Sequence, residues 1–200
     1  MDVHSDPDVA LMLRVKQGDR AAFDLLIEKY RKPLLNVIAR TIGRQTDAED
    51  LAQDVFVRVY RAAHRYEPAA KFSTWLYTIA RRVCLNYART QALRRWFSLT
   101  GEPDDAQDAP NDATNDPPDS RALDPAQDLE RRELQRIVAQ AVAALPERLR
   151  FAVVLRRYEE LSYEEIANIL DCTVTAAKLR VHRANALLAH RLAPYVRENP

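Results

Sequence analysis

Residues 161–184 read LSYEEIANILDCTVTAAKLRVHRA, and this stretch decides the fold of the C-terminal part. Ser162 followed three positions later by Glu165 is the pattern of a capping box, which predicts a short helix beginning at about Tyr163. After a three-residue turn, a second helix is predicted from about Val174. Two helices joined by so short a turn are the layout of a helix-turn-helix.

The second of these helices has an outward face that suits the major groove of duplex DNA. A recognition helix lies in that groove and presents its N-terminal residues to the base edges. The alternative is that the same side chains form the solvated face of an ordinary helical bundle. The outward residues are Thr175, Lys178, Leu179, His182 and Arg183, with Arg180 at the flank.

The composition of the whole chain favours helices and excludes several classes of protein. Only 3 of the 200 residues are glycine, and long stretches are rich in Ala, Leu, Arg and Glu. No apolar run approaches the roughly 18–20 residues that span a bilayer, and no signal peptide is recognisable. Cys84 and Cys172 stand far apart. We therefore expect a soluble, cytoplasmic protein without disulfides or membrane insertion.

The charges divide the chain into three parts. Residues 1–97 carry 17 basic and 11 acidic side chains, residues 98–128 carry 1 and 9, and residues 129–200 carry 12 and 9. The middle part also has 5 prolines and almost no large apolar residue, so it cannot offset its chain entropy by burial. We expect two small basic helical domains, 1–97 and 129–200, joined by a flexible acidic linker. The linker could imitate nucleic acid, shield the basic domains or act as a plain tether.

Apolar spacing predicts four helices in the first domain and three or four in the second. The first four begin at about Pro7, Asp19, Thr46 and Ser73 and end near Gly18, Gly43, Ala63 and Arg95. Thr46 and Glu49 form a second capping-box pattern, which predicts the start of the third helix. In the second domain, helices are expected from about Pro125 to Ala144, from Pro146, and in the two segments of the helix-turn-helix.

Basic and aromatic residues alternate in the fourth predicted helix and the loop before it. From Pro68 to Gly101 the chain has 6 basic residues and no acidic one. Cations that hold the phosphates, with aromatic faces that contribute about 1–3 kcal/mol per stacked base, are what single-stranded nucleic acid requires. The alternative is that Phe72, Trp75, Leu76 and Ile79 simply belong to the core, as we expect of Leu76 and Ile79 especially. The aromatic residues are Phe72, Trp75, Tyr77, Tyr87, Trp96 and Phe97.

The third predicted helix carries an acidic face. Asp47, Asp50 and Asp54 are three and four residues apart and so share one side of the helix, with Glu49 and Gln53 beside them. Paired carboxylates can hold a metal or perform acid–base chemistry, but no His, Cys or nucleophile accompanies them in the sequence. A solvated face that also caps the helix is a further alternative. We favour a docking face for a basic surface of a partner protein.

Six motifs then stand in a fixed order from about Leu11 to Leu192. They are DAEDLAQDVF (47–56), FSTWLYTIARR (72–82), LNYAR (85–89), LPERLR (145–150), LSYEEIA (161–167) and KLRVHRA (178–184). The ordered set resembles the extracytoplasmic-function sigma factors of bacteria. The resemblance implies an all-α protein with a four-helix region 2 and a helix-turn-helix region 4. It also implies a non-enzymatic chain without a cofactor, which binds core RNA polymerase, finds and opens promoters, and is held inactive by an anti-sigma factor.

The resemblance further implies roles for individual residues. The polymerase-docking face would consist of Asp47, Glu49, Asp50, Gln53 and Asp54. The opened −10 strand would be read by Tyr66, Lys71, Phe72, Ser73, Thr74, Trp75, Arg81, Arg82, Asn86 and Arg89. The duplex −35 element would be read by Thr175, Lys178, Leu179, Arg180, His182 and Arg183, with Arg150 and Arg157 as phosphate contacts.

The chain departs from the family at the start of the recognition helix. Where the family often has Cys-Pro-x-Gly-Thr-Val-Lys, residues 172–178 read CTVTAAK. Thr173 could replace the proline as a helix cap, and the loss of Gly-Thr together with Leu179 predicts an unusual −35 preference. Two rival functions are a transcription regulator that uses only the helix-turn-helix and a nuclease that needs divalent metal.

Overall fold

A computed structural model of the chain describes residues 6–100 and 125–197, apart from a few side chains at the ends of these ranges. In these residues the chain forms eight α-helices and one short 3-10 helix, Ala63–Arg65. The α-helices are α1 (Pro7–Lys16), α2 (Arg20–Ile42), α3 (Gln45–Ala62), α4 (Phe72–Thr100), α5 (Pro125–Ala143), α6 (Glu147–Tyr158), α7 (Tyr163–Leu170) and α8 (Val174–Arg197). The all-α prediction is confirmed. None of these helices combines the length and apolar character needed to cross a membrane.

The first helices begin and end at the residues that the sequence predicts. Asp6 caps α1 by accepting a hydrogen bond from the Asp8 amide at 3.0 Å, and Asp19 caps α2 by accepting one from the Ala22 amide at 3.1 Å. Gly43 ends α2 with φ +73°, a left-handed conformation that glycine adopts without steric cost. The second carboxylate oxygen of Asp6 also accepts the Phe72 amide at 3.3 Å. One side chain therefore ties the start of α1 to the start of α4.

Two boundary predictions differ from the structure. The capping box predicted at Thr46 and Glu49 is wrong, because α3 begins at Gln45, its N-cap is Arg44, and no side chain caps it. Only two residues separate α2 from α3, so the chain is already helical at Thr46. Helix α4 continues past Arg95, and α4 and α5 overlap both ends of the predicted linker. Residues 101–124, the rest of that linker, lie outside the described residues.

The N-terminal core consists of apolar stripes from α1 to α4 that face one another. Met12, Leu26, Leu34, Val55 and Leu76 are all fully buried in it. Each such side chain contributes about 1.5–3 kcal/mol by leaving water. The three-and-four spacing of α2, visible in the sequence, is the same spacing that buries Leu26 and Leu34.

A buried polar cluster fixes α1 against α2. The Asp8 carboxylate accepts hydrogen bonds from Lys29 Nζ at 2.6 Å and from the Tyr30 hydroxyl at 2.6 Å. Burial, followed by the hydrogen bond to Asp8, raises the pKa of Tyr30 far above its ordinary value. The carboxylate is thus compensated by a cation and a hydroxyl, as a buried charge must be.

The C-terminal helices form the predicted helix-turn-helix. The capping box is confirmed, because the Glu165 amide donates to Ser162 Oγ at 3.2 Å and the Ser162 amide donates to the Glu165 carboxylate at 2.8 Å. Thr173 caps α8 by accepting the Ala176 amide at 3.2 Å. The two helices pack on each other through small and apolar side chains. Ile166, Ala167, Leu170, Ala177 and Val181 are buried, and Val174 and Leu188 are half-buried.

The two halves of the chain pack directly against each other. Helix α2 contacts α5 and α6, and α4 contacts α7. The buried apolar cluster runs without a break from α2, α3 and α4 into α6, α7 and α8. The sequence predicts two separate domains and gives no sign of this contact.

Candidate nucleic-acid interface

The outward face of α8 carries the residues predicted to read duplex DNA. Thr175, Lys178, His182 and Arg183 are exposed, and Leu179 is 49% exposed between them. An apolar side chain among cations suits contact with a thymine methyl group, while the cations suit phosphates and guanine edges. The predicted set therefore lies together on the first turns of the helix.

Two members of this set are oriented by neighbouring side chains. Arg180 is half-buried, and its guanidinium donates a hydrogen bond to Cys172 Sγ at 3.3 Å. Lys178 Nζ lies 5.7 Å from the centre of the Tyr163 ring, which also carries Arg156 at 5.2 Å. Arg180 thus has a structural partner at the turn, whereas Lys178 keeps its ammonium at the surface.

The aromatic residues before and at the start of α4 lie mainly below the surface. Tyr66 is 2% exposed and Phe72 is fully buried, so neither can touch a base in this conformation. The ring centres of Tyr66 and Trp75 are 4.9 Å apart, and those of Phe72 and Tyr30 are 5.3 Å apart. Thr74 is buried as well. These buried residues therefore lie beneath the surface and support it, Phe72 against Tyr30 of α2 and Tyr66 against Trp75.

The Tyr66 hydroxyl is buried and has no hydrogen-bond partner among the described residues. Burial raises its pKa to about 12. An unpaired buried hydroxyl costs about 1–3 kcal/mol. Leu76 is buried, as the alternative of a core role predicts, and Tyr77, which that alternative did not include, is buried too.

The surface of α4 itself is a stripe of polar and basic side chains. Arg82, Asn86 and Arg89 are exposed and follow one another at spacings of four and three, so they lie on one side of the helix. Exposed Leu93, Trp96 and Phe97 continue this stripe toward the end of α4. Lys71, Ser73, Trp75 and Arg81 are half-buried near its beginning. Leu93 is not among the residues predicted to contact DNA, although its spacing of four from Arg89 places it on the same side of the helix.

The residues of the acidic face of α3 differ in their surroundings: two carboxylates are bonded to neighbouring side chains, and the other three residues are exposed. The Tyr87 hydroxyl donates to the Asp47 carboxylate, and Arg58 binds Asp54 at 2.9 Å. Glu49, Asp50 and Gln53 are exposed. In the described residues, no group of three or more His, Cys, Asp or Glu side chains could hold a metal ion.

An apolar groove beside this face was not predicted. It has a volume of about 550 Å³ and lies between α2 and α3. Glu49 and Gln53 form part of its lining, so the groove is continuous with the acidic face. The apolar lining residues are Phe23, Ile27, Leu35, Ala52, Phe56, Val57 and Tyr60.

One of the two arginines expected to bind phosphate is engaged elsewhere. The Arg150 guanidinium donates to the carbonyl of Thr41 at 2.5 Å and to the carbonyl of Leu145 at 2.8 Å. Burial lowers its pKa from the ordinary value. In this structure the guanidinium of Arg150 is therefore occupied by backbone carbonyls, whereas Arg157 is exposed, and the phosphate role of both stays a prediction.

The fold and these surfaces define a two-region, DNA-binding helical protein, and comparison with known proteins identifies its family. Residues 26–94 match the family model of Sigma-70 region 2, and residues 135–188 match that of Sigma-70 region 4. The RNA polymerase sigma-H factor of Pseudomonas aeruginosa is 35% identical over 96% of this chain and 97% of its own length. The ECF RNA polymerase sigma-E factor of Haemophilus influenzae is 34% identical over 94% of this chain and 96% of its own.

Two solved structures share the fold at lower sequence identity. CnrH in complex with the cytosolic domain of CnrY has a TM-score of 0.68 and 24% identity, and covers 94% of this chain and 99% of its own. The sigma factor RpoE in complex with the anti-sigma factor NepR from Bartonella quintana also has a TM-score of 0.68, with 22% identity, and covers 86% and 96%.

The chain belongs to the extracytoplasmic-function sigma factors. It is a DNA-binding subunit that associates with core RNA polymerase and directs it to promoters, as the resemblance predicts. The alternative of a regulator that acts without core polymerase is not favoured. The region 2 match spans most of α2, all of α3 and most of α4, and the region 4 match runs from the second half of α5 into α8.

Proposed function

We propose that three surfaces of this sigma factor perform three tasks in initiation. The α8 face reads the −35 duplex, the α4 stripe binds the opened −10 strand, and the α3 face with its groove binds core polymerase. The working domains are residues 1–97 and 129–200, with 98–128 between them. The observation that carries the proposal is the exposed row of Arg82, Asn86 and Arg89 on a helix separate from the α8 face.

The −35 reading uses the beginning of α8. Its exposed cations can bind guanine edges and phosphates of the major groove, where one good bidentate pair is worth about 1–3 kcal/mol of discrimination. Leu179 takes a position where a polar contact would be usual, so the preferred −35 sequence should contain a thymine methyl group opposite it. Arg180 lies at the flank of this face, where its hydrogen bond to Cys172 Sγ orients the guanidinium.

The −10 reading uses the α4 stripe, supported by the buried aromatic residues. Arg82 and Arg89 attract the backbone of the opened strand, and Asn86 lies between them with an amide that can hydrogen-bond to a base. Extruding a base costs a few kcal/mol, which binding to this surface must offset. Melting is thus driven by binding, and the RNA synthesis itself belongs to the polymerase, not to this chain.

The α3 surface suits a partner with both basic and apolar groups. Asp50 and Glu49 are exposed carboxylates at the edge of the groove, and Gln53 adds an amide. Opposite charges steer the encounter and set its register, while an apolar groove supplies affinity. Core RNA polymerase is the partner we assign to this surface.

We also propose a cytoplasmic location and regulation by an anti-sigma factor. The support is that the similar chains CnrH and RpoE were solved with CnrY and with the anti-sigma factor NepR. The partner of this chain would compete for the same surfaces of regions 2 and 4.

Reconstitution tests the proposed function. Purified core polymerase is incubated with genomic DNA of the source bacterium, with and without the chain, and the 5′ ends of the transcripts are sequenced. The chain should co-purify with core polymerase and create a defined set of start sites that share two upstream elements. A chain that neither binds core polymerase nor changes the start sites contradicts the proposal.

A further inference from the structure

The last turns of α4 project from the helical bundle. Within the described residues, the last buried side chain of α4 is Cys84, and the six residues from Ala92 to Phe97 are all exposed. Three of them are large and apolar: Leu93 is 58% exposed, Trp96 65% and Phe97 67%. An exposed apolar patch of this kind, rimmed by polar residues, marks an interaction site. We therefore expect a partner that covers this end of the helix.

The exposed apolar residues lie on the same side of the helix as the α4 stripe. At 3.6 residues per turn, six residues of α4 fall within an arc of about 100°. They are Arg82, Asn86, Arg89, Leu93, Trp96 and Phe97. One face of the helix is thus polar and basic in its first part and apolar and aromatic in its second part. The second part continues the surface that we assign to the opened −10 strand.

The charges around this end favour DNA as its partner. Arg94 and Arg95 are exposed on either side of the apolar face, and the chain has no acidic residue from Pro68 to Gly101. A basic protein surface of the kind that suits the acidic face of α3 would be repelled here, whereas DNA phosphates are attracted. Aromatic rings placed between cations are suited to stacking on bases. DNA complements both the charges and the rings.

A short opened segment of DNA fits between the two parts of the stripe. Trp96 follows Arg82 by 14 residues, which is about 21 Å along a helix. About six stacked nucleotides, at about 3.4 Å each, span the same length. The chain continues from α4 into region 4, which we assign to the −35 duplex, so the end of α4 faces the upstream limit of the opened segment. At this limit, the upstream fork, the opened strand rejoins the duplex.

We propose that Trp96 and Phe97 stack on the last base pair of the duplex at the upstream fork. Opening removes the neighbour of that base pair, and a flat aromatic ring can cover the face that is left. Since every base has a π-face, such stacking tolerates any sequence; it fixes the position of the fork. The match to region 2 ends at residue 94, so both rings lie beyond the part of α4 that the family model covers. The inference rests on the proposed −10 role of α4.

Two DNA probes test this contact with holoenzyme assembled from core polymerase and the full-length chain. The fork probe has an upstream duplex that continues into the single −10 strand, and the strand probe is the same −10 strand alone. Both take their sequence from a start site identified by the reconstitution above. Fluorescence anisotropy measures the affinity for each probe at one fixed salt concentration, because phosphate contacts make binding salt-dependent.

Four variants separate stacking from other effects. Trp96→Ala removes the ring, Trp96→Leu replaces it by an apolar side chain that cannot stack, and Trp96→Phe keeps an aromatic ring. Tyr195→Ala is the matched control, because Tyr195 is also aromatic and 46% exposed, near the end of α8. Substitutions at such exposed positions should leave the fold intact, and Tm measured for each variant checks this.

The losses should be confined to the fork probe. Trp96→Ala and Trp96→Leu should each weaken its binding by about 5- to 150-fold, the range for one stacked base. Their affinity for the strand probe and for core polymerase should stay that of wild type. Trp96→Phe should keep most of the affinity for the fork probe, and Tyr195→Ala should keep all of it.

Four results would overturn the inference. They are unchanged binding of the fork probe by Trp96→Ala, an equal loss on both probes, full affinity in Trp96→Leu, and weaker binding of Trp96→Ala to core polymerase. The second would place the ring on unpaired bases, the third would replace stacking by plain apolar contact, and the last would assign the ring to a protein partner. Wild-type holoenzyme that binds neither probe would instead contradict the proposed −10 role of α4.

Discussion

The Tyr77 hydroxyl donates a hydrogen bond to the Glu159 carboxylate across the junction between region 2 and region 4. Tyr77 is buried and Glu159 is half-buried. Burial raises the pKa of Glu159 above its ordinary value, against the opposing effect of the hydrogen bond from Tyr77. The junction thus contains a carboxylate that is less stable in its ionised form than it would be in water.

The first prediction concerns this carboxylate and pH. A raised pKa in the folded state means that the contribution of Glu159 to stability is complete below about pH 4.5 and is lost as the pH rises through the folded value. Glu159→Gln keeps an acceptor for Tyr77 and removes the ionisation. It should raise Tm at pH 8 by about 2–4 °C, corresponding to about 1 kcal/mol for a chain of this size.

Glu165 serves as the comparison for Glu159, because the pKa of Glu165 is lowered in the folded protein whereas that of Glu159 is raised. Burial raises it, but the hydrogen bonds from Lys71 and Ser162 lower it below the ordinary value. Its contribution is therefore present above about pH 4.5 and disappears as the pH falls through the lowered value. A Tm difference between Glu159→Gln and wild type that stays the same from pH 5 to pH 8 would show that Glu159 does not titrate as inferred.

The second prediction distinguishes residues that contact DNA from residues that support the −10 surface from beneath. Phe72→Ala should destabilise the fold by about 3–5 kcal/mol, because it leaves a cavity in the core. Arg82→Ala should change stability by no more than about 0.5 kcal/mol and weaken promoter opening by holoenzyme. Chemical denaturation and permanganate footprinting measure the two effects. An Arg82→Ala holoenzyme that opens promoters normally removes Arg82 from the interface.

The third prediction concerns the −35 face. Arg183→Ala and Lys178→Ala should each lower the affinity of holoenzyme for −35 duplex by about 5- to 150-fold, the equivalent of about 1–3 kcal/mol. His190→Ala is the matched control, because His190 is also exposed on α8 but lies two turns beyond Arg183. Filter binding on duplexes with intact and scrambled −35 elements measures the effect. Equal losses on both duplexes would assign these residues to phosphates and not to bases.

The fourth prediction concerns docking to polymerase. Asp50→Arg should weaken binding to core polymerase on the order of tenfold, since it places like charges against the basic partner surface. Glu133→Arg makes the same charge change on exposed α5 and should leave binding unchanged. Surface plasmon resonance with immobilised core enzyme compares the variants. Retained affinity in Asp50→Arg would exclude this face as the docking site.

The sequence predicted the helices well because their ends are set locally. Asp6, Asp19 and Gly43 act within a few residues of themselves, and the Ser162–Glu165 box is complete in four. Thr46 and Glu49 show the limit of this reasoning. Their sequence has the capping-box pattern, but the short turn at Gly43 and Arg44 starts α3 at Gln45, one residue earlier than that pattern predicts.

Burial of the site residues was harder to predict because it depends on distant packing. Phe72 and Arg82 lie on one helix with the same composition around them, but Phe72 packs on Tyr30 of α2 and Arg82 faces outward. The junction between the halves was not predictable by local patterns either. Lys71 and Glu165 are 94 positions apart in the sequence. Local patterns account for each residue separately, because Lys71 is one of the basic residues around the start of α4 and Glu165 completes the capping box of α7.

Site-specific photo-crosslinking tests the division of labour most directly. A photoreactive amino acid replaces Arg82 in one protein and Arg183 in another, and each holoenzyme is bound to the same promoter before irradiation. We predict that the residue at 82 cross-links to the opened −10 strand and the residue at 183 to duplex −35 DNA, about 25 base pairs, or about 85 Å, upstream. Cross-links from both positions to the same segment of DNA would contradict the account.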